Sequence, residues 1–198
     1  MNRALLTLIA LVAAAAAGCS DNAPRLLFAA DPSISVALSQ SNITVGAPLS
    51  FGAIMLCVSA PSSATIQKVS IHDPHGAMQV DAFAVRPNPM ASGHEGLGAL
   101  NIGLAAYGTG FAPAEPQSVR GVCPKDLLAP TGEEAAALSE LGVEVHLGSG
   151  VTGGGRALDL TYTADGSVRM VTIPFGIWLC VATCPPDIGA SAGSSGQP

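Results

Sequence analysis

The sequence predicts an all-β fold, a two-sheet β-sandwich of immunoglobulin-like or related Greek-key type carrying one short helix at about 131–141. Three observations lead there. Glycine occurs 23 times and proline 15 times, so the chain is punctuated every few residues and has few windows long enough for a helix. Between those breaks the segments are short and apolar, several with apolar residues at every second position, as in half-buried strands. Eight or more such segments recur with turn residues between them, which is the spacing of a sandwich, with a closed barrel as the competing architecture.

In chain order, RLLFAADPSISVALS from Arg25 reads as two short strands broken at Asp31-Pro32, and ITVGAPLSFGAIMLCVSAP from Ile43 gives a strand, a Gly-Ala-Pro break and a buried strand through Cys57. Next come two strands around a turn at Asp73-Pro74-His75-Gly76. Val69 and Ile71 share one face of the first, and Met78, Val80, Ala82 and Ala84 alternate with Gln79 and Asp81 in the second. Arg86 to Gly98 is a loop rich in Pro, Gly and Ser, and LNIGLAAYG from Leu100 is a further strand candidate. The helix is predicted from Thr131-Gly132-Glu133-Glu134, a capping box, with Gly142 as its left-handed stop. After it VEVHL, RALDLTYT, SVRMVTI and IWLCVA read as strands. Asp165-Gly166 carries a two-residue hairpin signal within residues 156–173.

Ahead of these strands lies MNRALLTLIALVAAAAAGCS, with one positive charge at Arg3, an uncharged run to Gly18 and small residues at its end, the order of a secretory signal peptide. The apolar run is too short for a membrane span, which needs about 20 residues. Ala16-Ala17-Gly18-Cys19 resembles the lipobox of bacterial lipoproteins, although Ala16 stands where leucine is commoner. The resemblance, which covers only the leader, implies cleavage before Cys19, a diacylglycerol on its thiol and a lipid anchor of two or three acyl chains, enough for stable attachment. The expected organisation is a signal peptide at 1–18, a lipidated tether at 19–24, a β-sandwich at 25–185 and a small, polar, disordered tail at 186–198.

Removing residues 1–18 leaves 180 of the 198 residues, one domain's worth of chain, and loss of Arg3 takes the formal net charge from −6 to −7. A mildly acidic chain with two lysines has no footprint for nucleic acid and no polybasic stretch for anionic lipid, so its membrane contact is expected through the lipid alone. Beyond Cys19 an even number of cysteines remains, which in an exported chain points to two disulfides. Cys180 and Cys184 lie about 13 Å apart if the strand stays extended. The pairing expected is therefore Cys57–Cys180 with Cys123–Cys184.

Three constellations carry chemistry. His72, His75, Met78, Met90 and His94 crowd one hairpin and the loop after it, and imidazole with thioether is a copper donor set. Cys180-Val-Ala-Thr-Cys184-Pro185 matches the Cys-x-x-x-Cys-Pro motif of copper-delivering assembly proteins with a thioredoxin fold, but it lies at the end of the chain, where disulfide cysteines are the better reading. Gly148-Ser149-Gly150-Val151-Thr152-Gly153 has the glycine spacing of a dinucleotide loop, yet a strand follows it and Ile173 stands where the acidic residue belongs, so it reads as a glycine-rich hairpin loop.

No serine sits in a G-x-S-x-G turn, and a triad from distant residues such as His146 and Asp159 has no positive signal. Trp178, the only tryptophan, is expected to pack against a disulfide. The functional expectation is a non-catalytic, lipid-anchored cell-envelope module without a cofactor, facing an extracytoplasmic compartment from a cell membrane or outer membrane, with an envelope protein or glycan as partner. A copper-binding envelope lipoprotein is the alternative, and a hydrolase with a non-local site the second alternative.

Overall fold

The computed structural model describes residues 23–29, 35–40, 43–93, 96–107, 110–113, 116–127, 129–181 and 184. Cys19, His94, the leader and residues 185–198 lie outside them, so the signal peptide, the lipidation site and the tail belong to the sequence reading alone.

The fold is all-β. Strands β1 (Leu26–Ala29), β3 (Leu49–Val58), β8 (Ser139–Leu147) and β5 (Met78–Pro87) form one antiparallel sheet in the order β1-β3-β8-β5, with β6 (Ala99–Leu100) also paired to β3. A second antiparallel sheet runs β11-β10-β4-β7, from β11 (Ser167–Ile173), β10 (Ala157–Ala164), β4 (Ala64–His72) and β7 (Gln117–Val119). A third contains β2 (Ser35–Gln40), β12 (Gly176–Val181) and β9 (Gly153–Gly155), with β2 parallel to β12. All three contribute to one core, which includes Phe51, Leu56, Leu141, Val143, Leu158, Leu160, Ile173 and Leu179. The inner row of β8 alone, Leu141, Val143, Val145 and Leu147, is fully buried, and at roughly 1.5–3 kcal/mol per large apolar side chain it is a main source of stability.

The 156–173 hairpin forms as its sequence requires. Asp165 and Gly166 have φ of 47° and 73°, the positive pair a type I′ turn needs, and Ala164 pairs with Ser167 across it. The Ser62 hydroxyl donates to Asp165 Oδ1 at 2.9 Å and holds the turn.

Several local expectations are corrected. The strands flanking the Asp73–Gly76 turn do not pair with each other: β4 enters the second sheet and β5 the first. The alternation read along β5 is interrupted by a bulge, since Val80 pairs with Val145 and Ala82 with the adjacent Glu144. Met78 and Val80 therefore join the main core together with Phe83 and Val85, while Ala84 belongs to a separate cluster. Helix α2 spans only Gly132–Ala137; its N-terminus carries the expected box, with the Thr131 N–H and hydroxyl both donating to Glu134 Oε2 at 3.0 and 2.8 Å. Leu138 is already extended, and Ser139 to Leu141 belong to β8. Within LNIGLAAYG, Leu100 ends β6 and Leu104–Tyr107 form a helix, α1.

Between β5 and β7 the chain runs as a strap that carries a 3-10 turn at Pro89–Ser92, the short β6 paired to β3, and α1. Its Leu97, Leu104 and Phe111 close over Ala84 to form the second apolar cluster.

Candidate functional site

The disulfides are Cys57–Cys123 and Cys180–Cys184, each with Cα atoms 5.0 Å apart. All four cysteines expected in bridges are in bridges, but both pairings differ from the expectation. Residues 121–123 run beside the end of β3, with Val58 N–H donating to Gly121 O and Cys123 N–H to Val58 O, which sets Cys123 beside Cys57. At the other bridge the strand ends at Val181, so Cys184 returns to Cys180 instead of continuing the extended line. Trp178 packs with Cys180 and Cys184, as its position beside Cys180 suggested.

The glycine run is a strand. Gly153–Gly155 form β9, paired to β12 on one side while Gly154 exchanges two backbone hydrogen bonds with His75 on the other. A side chain on Gly154 would strike the Trp178 ring and the Ile177 carbonyl, so glycine is needed for close approach and not for a phosphate.

The four described copper donors, His72, His75, Met78 and Met90, do not share one place, and His94 lies outside the described residues. His72 ends β4, and its Nδ1 lies 2.9 Å from Asp159 Oδ2 while Nε2 faces Asp73 Oδ2 at 3.5 Å. An imidazole with carboxylates at both nitrogens is set up to hold a proton, and the hydrogen bond to Asp159, reinforced by that carboxylate's charge, raises its pKa above the ordinary 6.5. Asp159 is pushed below its usual range, first by the Thr172 hydroxyl, which donates at 2.6 Å, and then by His72. His75 lies against Trp178 with ring centroids 6.2 Å apart. Met78 is buried in the core, and exposed Met90 lies beyond the far end of the ten-residue β5, roughly 30 Å of strand away. Among the described residues no three His, Cys, Asp or Glu side chains gather as a metal site would need.

A triad of His146 with Asp159 is likewise not assembled. His146 Nδ1 meets Asp81 Oδ2 at 2.6 Å in the first sheet, whereas Asp159 serves His72 in the second. Asp81 is the extra residue of the β5 bulge and comes two residues after Gln79, which pairs with His146. The Thr172 hydroxyl is bonded to Asp159, the wrong end of the His72 pair for a nucleophile.

The most buried polar centre went unseen in the sequence. Glu140, fully buried, accepts from Arg86 Nε at 2.7 Å and Nη2 at 2.6 Å, and its other oxygen accepts from the Leu97 N–H of the strap at 2.6 Å. The Arg86 guanidinium sits over Phe111 and Tyr107, 4.5 and 5.4 Å from their ring centroids. Glu144, two positions further along the same face of β8, accepts from the Leu104 N–H at 2.7 Å, and Ser50 donates to the Ile102 carbonyl at 2.7 Å. These groups fasten the strap to the sheet. The signal for them was the strict alternation of Glu140, Gly142, Glu144 and His146 with apolar residues, which continues unbroken upstream of VEVHL.

A cleft of about 410 Å³ opens between β5, the segment after β7 and the end of α2, lined by Arg120, Ser118, Leu138 and Ser139 among others. A smaller one of about 270 Å³ lies between β4 and β5. The first is large enough for a small molecule, and neither is lined by an imidazole, carboxylate or thiol, Lys68 at the smaller one being an amine. No protein-family model matches the chain, and no curated protein does.

Proposed function

We propose that the chain is an exported, lipid-anchored module of the cell envelope that works by binding or by structural support and not by catalysis, tethered through Cys19. One observation carries this. The four cysteines of the folded domain are bonded to one another, the habit of an oxidising compartment, which leaves Cys19 of the small-residue Ala16-Ala17-Gly18-Cys19 junction as the cysteine available for acylation. The first described strand begins at Leu26, seven positions on, so the domain is held close to the bilayer facing an extracytoplasmic compartment, where an envelope protein or glycan is within reach. The non-catalytic reading draws support from both His–Asp pairs. Each imidazole is held by an aspartate within hydrogen-bond distance, with no hydroxyl or thiol placed at its other nitrogen in the contacts described. Copper stands behind this reading, because the fold parts Met90 from His72 and His75.

The test is to express the full chain with its leader in a bacterium, fractionate the cells and map the N-terminal peptide by mass spectrometry. The reading expects a membrane-fraction protein beginning at an acylated Cys19, and release of Cys19→Ser to the soluble fraction. A mature N-terminus elsewhere, or an unmodified Cys19, overturns it.

A further inference from the structure

We propose that β11 pairs edge to edge with β11 of a second copy of this chain, across a two-fold axis at Met170, to form one continuous eight-stranded sheet. β11 is an outer strand of the second sheet, paired on one side to β10. It runs seven residues without Gly or Pro, and its outward-facing Val168 and Met170 are each 67% exposed, the highest values among the exposed large hydrophobics described. A strand of that kind, with Arg169 as its one charge, leaves its outer backbone groups open to another strand. The other outer strands with fully described side chains are blunted. β1 has four residues and β7 three, β9 is bonded on its outer side to His75, and β5 ends in Pro87 with its Val85 N–H taken by Gln117.

The occupant follows from register. Met170 is the midpoint of Ser167–Ile173, so a two-fold axis there matches all seven residues. It sets Met170 against itself, Val168 against Thr172 and Arg169 against Val171, with no like charges opposed. Centring on Arg169 instead opposes two guanidinium groups, and centring on Val171 places Val168 across from Pro174, which has no N–H to offer. The strand is thus its own best complement. A single edge pairing lies at the small end of specific interfaces, so a dissociation constant on the order of 10 µM to 1 mM is expected in solution.

The proposal is independent of the lipid anchor and is tested without it, on the exported chain carrying Cys19→Ser. Sedimentation velocity from about 5 to about 500 µM should show a monomer–dimer equilibrium across that range. Met170→Lys, which opposes two ammonium groups at the axis, should weaken it by about tenfold. Under mild oxidation Met170→Cys should cross-link to itself severalfold faster than Val168→Cys or Thr172→Cys, because position 170 alone faces its own copy. A monomer at every concentration, an association indifferent to Met170→Lys, or equal cross-linking at the three positions overturns the proposal.

Discussion

Replacing Glu140 by glutamine tests whether the strap is held by a buried charge pair. Glu140 is wholly buried and Arg86 is 4% exposed, so removing the carboxylate charge takes the Glu140 counter-charge from a buried guanidinium stacked on Phe111 and Tyr107. Breaking a buried pair by removing one partner costs about 3–5 kcal/mol. Glutamine keeps an oxygen for the Leu97 N–H, which places Glu140→Gln near 3 kcal/mol, whereas Glu140→Ala also orphans that N–H and falls near 5 kcal/mol. For a domain of this size about 3 kcal/mol lowers Tm by roughly 6–12 °C. The assay is urea and thermal unfolding with the disulfides oxidised, alongside Arg86→Met, Glu140→Leu and their combination. The double variant removes both charges and should be more stable than the sum of the single effects by at least about 1.5 kcal/mol, since it leaves no uncompensated ion. Limited proteolysis should cut within residues 88–116 in Glu140→Gln before it cuts elsewhere. A loss under about 1 kcal/mol for Glu140→Gln, or strict additivity in the double variant, would mean that the pair does not hold the strap.

The two disulfides should differ in worth because they close loops of very different length. From the sequence separations of 66 and 4, removing Cys57–Cys123 is expected to cost about 4 kcal/mol and removing Cys180–Cys184 about 2 kcal/mol, read as the fall in urea midpoint of the paired serine variants. Gly154→Ala forces a methyl into the Trp178 ring and should cost about 1–3 kcal/mol with a change in tryptophan fluorescence, while an unshifted melting curve would refute the close packing. The His72–Asp159 pair should leave a signature at each end of the pH scale. His72 has a raised folded pKa, so its contribution is complete below about pH 6.5 and is lost as pH climbs through the raised value. Asp159 has a lowered folded pKa, so its contribution is present above about pH 3.8 and is lost as pH falls through the depressed value. The parent's advantage over Asp159→Asn should therefore shrink towards both extremes, at high pH to the share supplied by the Thr172 hydrogen bond, and a constant offset from pH 3 to pH 9 in their unfolding curves would contradict the pairing.

What the sequence could and could not tell is sharpest along β8. The capping box at Thr131 marks a real helix start, but the helix formers after it carry no stop signal except Gly142, and reading that glycine as a C-cap extended the helix into a strand. Gly142 serves another purpose. It sits in mid-strand where a methyl group would meet Leu104 and Phe111 of the strap at under 3 Å, so the strap lies close against the sheet there. Gly96 and Gly103 do the same from the strap side, where a side chain would crowd Glu140 and Glu144. The strand pattern of this segment was legible from period-two alternation. The layer above it was not, because a strap with little regular structure leaves no periodicity to read, and the residues that fasten it are charged and resemble surface residues until their partners are known.

The bulge in β5 shows why spacing alone gave a misleading site. Had the same residues paired in unbroken register, with Asp81 opposite Glu144, Ala82 and Ala84 would stay on the core face with Met78 and Val80, and Arg86 would follow them inward, away from Glu140. With the bulge, the parity of the strand changes, Phe83 and Val85 take over the core face, and Arg86 turns to the face that carries Glu140. The bulge thus sets the parity that brings Arg86 to Glu140, and its extra residue supplies the carboxylate for His146. Deleting Asp81 should remove the His146–Asp81 pair and close the ladder without a shift, Val80 opposite Val145 and Ala82 opposite Glu144, so Arg86 stays opposite Glu140 and the strap keeps its protection from protease. Inserting one further residue beside Asp81 should instead reverse the parity of Phe83 to Arg86 and expose the strap to protease, while the β10–β11 hairpin, in the other sheet, keeps its protection. A strap equally protected in both variants would mean that the parity of β5 does not hold it.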